Sequence, residues 1–326
     1  MKAALYVIAF FAGILLVCIS CDYNSNEEND VYGWEIFETN SVVPATRHEI
    51  YSEVYGLGNT NYQHQSMFFY ADKVFCFESG AKCKVYDFHT FNALAYCDLQ
   101  EDSHHNNAQI TDIFYSNKDK YPLLLLSRGD YPPNKNACYI VRIQETSNNF
   151  SFKVIKTIHN SIKEAQNNGS WIIDERNGFL YLYCMDNGDY RTTEDNHFCI
   201  FQFRLPDILN DDSDYYLTYS DVLNKWTSPY LVLQGGTCHE GNLIFNVEGL
   251  SEIEGRKTER GRYAIVFNPQ KGRFLAKLPL MEINETEGIC IYNNKLYISY
   301  KDGLLDRQPD YVMFKIMEYS LPENLF

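Results

Sequence analysis

Residues 284–300 read Asn284-Glu285-Thr286-Glu287-Gly288 and then ICIYNNKLYISY. A short polar loop runs into an apolar strand, the strand turns at Asn293-Asn294, and a second strand alternates in period two. The same arrangement occurs four times upstream. Gln63-His64-Gln65-Ser66 precedes MFFYADKVFCFE, and His104-His105-Asn106-Asn107 precedes AQITDIFYSNKDKYPLLLLS. Asn167-Asn168-Gly169-Ser170 precedes WIIDERNGFLYLYC, and Thr237-Cys238-His239-Glu240 precedes GNLIFNVE. Units close with a further strand pair, as in CKVYDFHTFNALAYCDL and YAIVFNPQKGRFLAKLPL.

The repeats begin near Ser66, Asn107, Ser170, Glu240 and Gly288, at intervals of roughly 40 to 70 residues. Short antiparallel strands recurring in this way predict an all-β chain folded as a β-propeller, with five blades. Six is the alternative if the N-terminal segment and the long third repeat hide another unit. Turn signals at Ala71-Asp72-Lys73, Asn117-Lys118-Asp119, Glu175-Arg176-Asn177-Gly178 and Asn293-Asn294 support the register. Trp34 to Gly58 holds two strand-like stretches, WEIF and EIYSEVYGL. Part of this segment is expected to complete the last blade and so close the ring.

The start of the chain carries a different message. Met1-Lys2 is followed by an unbroken apolar run from Ala3 to Val17, too short to span a bilayer comfortably and the right length for an export signal. The run ends at Ser20-Cys21, and a small residue before a cysteine resembles the lipobox of bacterial lipoproteins. The resemblance implies a signal peptide over 1–20, lipidation of Cys21 and attachment to the outer membrane through the lipid alone. Residues 21–32 are acidic and aperiodic and are expected to form a disordered tether. An acidic run behind the lipid cysteine resembles the surface-export signal of Bacteroidota lipoproteins. Residues 33–326 are left for one propeller domain, expected to be monomeric.

Composition narrows the partners. Aromatic residues make up 15% of the chain, which favours sheet packing. The net charge of −15 argues against nucleic acid and against anionic headgroups, since both call for a basic surface. Two of the ten cysteines lie in the signal region. Most of the rest lie inside strands, where a thiol packs as a small hydrophobe. Cys76 and Cys83, in one hairpin, are the pair to test first for a disulfide. No CxxC pair, GxSxG, HExxH or phosphate-binding glycine loop occurs in the folded region.

With the repeats in register, Gln65, His105, Asn106, Asn107, Asn168, Ser170, His239, Glu240 and Glu287 would meet near the axis. Amide, imidazole and carboxylate groups together suit a hydrogen-bonding pocket for a small polar molecule. The same groups suit oxygen-and-nitrogen coordination of a divalent cation, calcium or zinc. They are equally compatible with polar caps on a solvent-filled channel. Trp171 is expected in the core. Trp226, in a polar insertion beside Pro229, is the candidate for stacking on a sugar ring.

TEGICIYNNKLYISY resembles the blade signature of NHL and gluconolactonase-type propellers, and NNGSWIIDERNGFLYLY is similar to a second such blade. The lactonase-type members hold a divalent metal at the axis, and the resemblance would put Asn107, Asn168 and Glu287 in that role. Gln65 stands where a first acidic ligand belongs, so the resemblance points away from lactonase activity. The HNNA loop (His105 to Ala108) and the TEG loop (Thr286 to Gly288), with the lipobox and acidic tail, resemble the TolB-like propeller lipoproteins of Bacteroidota. The expectation is a lipid-anchored propeller that binds a small polar ligand, a glycan or a partner protein at its axial face. The alternatives are a metal-dependent hydrolase and a non-catalytic scaffold.

Overall fold

The computed structural model describes residues 29–30, 37–38, 44–53, 64–78, 80, 82–99, 105–129, 136–147, 149–165, 167–185, 198–209, 214–228, 233–247, 263–280, 286–301 and 311–321. Cys21 and the segment read as a signal peptide lie outside these residues. Five antiparallel sheets follow one another along the chain, which is the five-bladed propeller expected from the repeats. The first blade comprises His64–Tyr70, Lys73–Glu78, Lys82–Asp87 and Ala93–Asp98, from the axis outward. The second comprises Ala108–Ile110, Leu124–Arg128, Ala137–Glu145 and Phe150–Asn160. The third comprises Asn167–Asp174, Phe179–Met185, Phe198–Arg204 and Val222–Thr227, and the fourth Leu233–His239, Asn242–Val247, Tyr263–Asn268 and Arg273–Pro279. The fifth has Thr286–Tyr292, Lys295–Lys301 and Tyr311–Ser320, and its outermost strand is the N-terminal Pro44–Glu53. This last pairing closes the ring as expected, using EIYSE and the five residues before it.

Local sequence explains the hairpins. Ala71-Asp72, Glu240-Gly241 and Asn293-Asn294 each connect the first and second strands of a blade as a two-residue turn. All six residues have positive φ, between 47° and 76°. This is the turn whose twist matches the flanking strands, and Asp, Asn and Gly tolerate it best. In the third blade the connection is longer, and Asp174 holds it by accepting the Asn177 N–H at 3.2 Å.

The blades are apolar on both faces because each packs against two neighbours. Phe68, Phe75 and Phe77 pack with Leu124, Leu126 and Phe152 between the first and second blades. Trp171, Leu180 and Phe203 pack with Leu125 and Ile140 between the second and third. Tyr181 and Tyr183 meet Phe245 and Phe267 between the third and fourth, and Ile244 and Val266 meet Ile289 and Ile298 between the fourth and fifth. Met67, Phe69 and Val74 meet Cys290 and Tyr297 across the closure. Blades splay outward from the axis, so the gaps widen, and large aromatic rings fill them. That geometry accounts for the aromatic content and for near-continuous apolar runs such as FLYLYC.

Three blades carry a fifth strand laid parallel on the outer edge. Tyr215–Leu217 lies on Phe150–Asn160, Asn29–Asp30 on Val222–Thr227, and Phe37–Glu38 on Arg273–Pro279. The N-terminal segment therefore follows the outside of the ring over the third, fourth and fifth blades in turn. Asn29 and Asp30, within the stretch read as a disordered tether, pair with Trp226 and Thr227. The polar insertion that holds Trp226 contributes two strands, Tyr215–Leu217 and Val222–Thr227. A single 3-10 turn, Lys163–Ala165, leads into the third blade.

The eight cysteines of the blades are all thiols, none of them in a disulfide. Cys76 faces Lys84 while Cys83 faces Phe77, one step out of register. Successive residues of a strand point to opposite faces, so a bond between Cys76 and Cys83, the pair singled out for testing, is not geometrically available.

Candidate functional site: the axial end of the five inner strands

Four of the five innermost strands begin with the same irregularity. In the third, fourth and fifth blades two residues oppose one: Asn168-Gly169 face Cys184, Gln234-Gly235 face Asn246, and Glu287-Gly288 face Ser299. In the first blade Gln65 is the extra residue between the pairs His64–Glu78 and Ser66–Phe77. In the second, Ala108 pairs with Leu126 and the Ser127 N–H donates to the Asn107 carbonyl, which sets Asn106-Asn107 in the equivalent place. A bulge re-aims side chains locally and is a recurrent device at sites of close approach. The register thus defines one ring of positions at His64, Asn106, Asn168, Gln234 and Glu287. A second ring, one residue inward, holds Gln65, Asn107, Gly169, Gly235 and Gly288.

The bulges are clasped from blade to blade. The Ser66 hydroxyl donates to the His105 carbonyl at 2.7 Å, joining the first blade to the second. The Trp171 N–H donates to Ser127 Oγ at 2.8 Å, joining the third to the second. The Tyr183 hydroxyl donates to the Gln234 carbonyl at 2.6 Å, and Asn246 Nδ2 to the Glu287 carbonyl at 3.0 Å. At the closure Ser299 Oγ lies 2.7 Å from His64 Nε2 and accepts the Gly288 N–H at 2.8 Å. One polar side chain or backbone group per interface thus serves the same purpose in all five.

Glycine permits this approach. A Cβ on Gly235 would stand 2.6 Å from the Glu287 carbonyl oxygen, and one on Gly288 would stand 3.0 Å from the Met67 nitrogen. Three of the five second-ring positions are glycine. Where they are not, Asn107 reaches across: its Nδ2 donates to the Trp171 carbonyl at 2.8 Å and its Oδ1 accepts the Gly236 N–H at 3.3 Å. Asn107 is 1% exposed, so its amide is engaged by the backbones of the third and fourth blades.

Of the residues read as axial, Gln65, His105, Asn106, Asn107, Asn168, Ser170 and Glu287 all fall at this end of the inner strands. Gln65, His105, Asn107, Ser170 and Glu287 are buried, and Asn106 is half-buried. His105 Nδ1 donates to the Ser127 carbonyl at 3.2 Å, and its ring stands edge-on to Phe77. Ser170 sits one position further along, level with Ser66, Ala108, Gly236 and Ile289.

His239 and Glu240 are corrected. They belong to the turn at the other end of the fourth inner strand, because His239 pairs with Asn242 and the strand starts at Leu233. Glu240 is the counterpart of Ala71 and Asn293, with a φ of 49°. His239 is half-buried, and loss of hydration there pulls its pKa below the ordinary 6.5, while Glu240 raises it. The fourth-blade residue that does reach the ring, Gln234, is one the loop comparison passes over. Its signal is a polar residue followed by glycine, as in Asn168-Gly169 and Glu287-Gly288. His64 is the other addition, one residue before Gln65.

Trp226 is also corrected. It is 4% exposed, packs edge-on to Phe267 with ring centres 5.2 Å apart, and its indole nitrogen lies over Gly272. It is a core residue between the third and fourth blades, with no face open to a sugar. Trp171 is core as expected, its indole N–H donating to Asn136 Oδ1 at 3.0 Å.

Among the described residues no three His, Cys, Asp or Glu side chains gather in a group that could hold a metal ion. Of the five first-ring positions Glu287 is the acidic one, and the others are His64, Asn106, Asn168 and Gln234. No protein-family model matches the chain, and no curated protein matches it in sequence. A crystal structure it is similar to is that of a protein from Thermus thermophilus described as an oxidoreductase (glucose dehydrogenase). The two are 11% identical, over 82% of this chain and 100% of that one, with a TM-score of 0.45.

Proposed function

We propose that the chain is an exported, lipid-anchored β-propeller of the cell envelope that binds a polar ligand, such as a glycan, at the axial end of its inner strands. The observation that carries this reading is the ring His64, Asn106, Asn168, Gln234 and Glu287. Five sequence-distant positions at one register level all carry hydrogen-bonding side chains. The ring beneath is given over to glycines, Gln65 and Asn107. An imidazole, three amides and one carboxylate supply donors and acceptors in near balance, which suits a hydroxyl-rich molecule better than an anion. Binding rather than catalysis is favoured because the Asn107 amide is held by two backbone groups, and because one of the five ring positions, Glu287, carries an acid.

The test is a thermal-shift and glycan-array screen on the chain from residue 22, which keeps Asn29 and Asp30 on the third blade. A ligand that raises the melting temperature is expected. Its affinity should fall at least tenfold in the Asn106→Ala, Glu287→Gln double variant. Unchanged affinity in that variant places the binding surface elsewhere. A partner protein captured through the insertions, indifferent to both substitutions, would favour the scaffold reading instead.

A further inference from the structure

The first blade is four-stranded, and its outer strand is Ala93–Asp98. The second, third and fourth blades each carry a parallel fifth strand, and the fifth blade ends on the closing strand Pro44–Glu53. Among the described residues nothing pairs with the outer side of Ala93–Asp98. That strand is also open to solvent, with Leu94 49% and Tyr96 48% exposed. Its one buried residue is Cys97, which stands directly opposite Cys83 on the neighbouring strand. Both belong to the apolar cluster between the first and second blades, beside Phe77 and Phe152, so both thiols occupy the same face.

Directly opposed Cβ atoms in an antiparallel pair lie about 4.5–5.5 Å apart. A disulfide needs about 3.5–4.5 Å. A small shear of an edge strand held on one side only is enough to close that difference. We infer that Cys83 and Cys97 are a disulfide site, oxidised when the chain folds in an oxidising compartment, and that the bond staples an edge strand which, among the described residues, pairs on one side only. In the reaction each thiol gives up its proton and one electron as the sulfur–sulfur bond forms. A small-molecule disulfide such as oxidised glutathione takes up both electrons and both protons and leaves as two thiols. Cys97 gives up the hydrogen bond that its thiol donates to Asn149 Oδ1 at 2.9 Å. Burial holds both thiols above their ordinary pKa, which slows attack in the closed fold and assigns the step to folding or to fraying of the edge.

Among the described residues one other cysteine pair is directly opposed, and it is not at an edge. Cys76 is out of register with Cys83. Cys184 does oppose Cys199, but both lie in inner strands of a five-stranded blade, and the Cys199 thiol sits 3.8 Å from Thr227 Oγ1 on its far side.

The experiment refolds the chain from residue 22 in oxidised and in reduced glutathione, blocks free thiols under denaturing conditions and maps the peptides. A Cys83–Cys97 crosslink is expected in the oxidised sample. With a loop of this length the melting temperature should rise by about 5 °C over the reduced sample. The Cys97→Ser variant should show no such difference between the two conditions. The inference is overturned if Cys83 and Cys97 are both recovered blocked from the oxidised sample, or are linked to other cysteines. It is equally overturned if Cys97→Ser keeps the redox-dependent rise. Should that variant fail to fold, the peptide map of the natural chain decides alone.

Discussion

Asn107 Oδ1 accepts the backbone N–H of Gly236, 129 residues further along the chain, at 3.3 Å. The other end of the same amide donates to the Trp171 carbonyl at 2.8 Å. One side chain of the second blade thereby ties the third and fourth together beside the axis. Asn107→Ala leaves both buried groups unsatisfied and should cost about 2–4 kcal/mol, measured by urea unfolding. A loss under about 1 kcal/mol would show that the two blades hold their positions without this link.

The bulge glycines should be less replaceable than a glycine in a turn. Gly235→Ala sets a methyl group 2.6 Å from the Glu287 carbonyl, so two backbones must separate. Gly178→Ala meets nothing within 4 Å and is opposed only by its φ of +70°. The turn substitution should cost about 1 kcal/mol. The bulge substitution should cost at least twice as much and reduce soluble yield. Equal melting temperatures for the two variants would contradict the close approach of the fourth and fifth inner strands.

Trp226 tests the assignment of core against ligand platform. Trp226→Ala should lower stability by about 3–5 kcal/mol, through the cavity left against Phe267 and beneath Gly272. Affinity for an axial ligand, measured at a temperature where the variant is folded, should be unchanged. A large loss of affinity with stability intact would restore the stacking role expected from the sequence.

His239 gives a pH dependence of defined sign. Its folded pKa lies below 6.5 because burial disfavours the imidazolium. The unfolded chain therefore takes up the proton first. This residue's share of stability is intact above 6.5 and is lost as pH falls from 6.5 towards the folded value. His239→Gln should flatten that part of the stability profile. Imidazole resonances titrating above 6.5 in the folded protein would reverse the prediction.

The extent to which the site could be read from sequence differs from blade to blade. In the first, second, third and fifth, the described residues of the polar stretch fall at the axial end of the inner strand. In the fourth, Thr237-Cys238-His239-Glu240 imitates that stretch but is the end of the inner strand and its turn. The imitation is local: polar residues before GNLIFNVE look the same whether the strand is first or second in its blade. Only the pairing of Leu233 with Val247 distinguishes the two. Cys76 and Cys83 show the same limit, since nearness in one hairpin says nothing about register until each partner is known.

What the chain's own pattern determines is the kind of fold. Period-two strands, two-residue turns built from Asn, Asp and Gly, and aromatic runs apolar on both faces admit little but a ring of blades, with an early strand to close it. These are local signals, written in neighbouring residues. Which polar groups converge was decided by tertiary structure. The rings His64, Asn106, Asn168, Gln234, Glu287 and Gln65, Asn107, Gly169, Gly235, Gly288 exist only when the starts of five inner strands fall at one level. That level is set by strand pairing and by clasps such as Asn107 to Gly236. A hydrogen bond that spans two blade interfaces has no counterpart in local sequence, because its partners become neighbours only after the ring has formed.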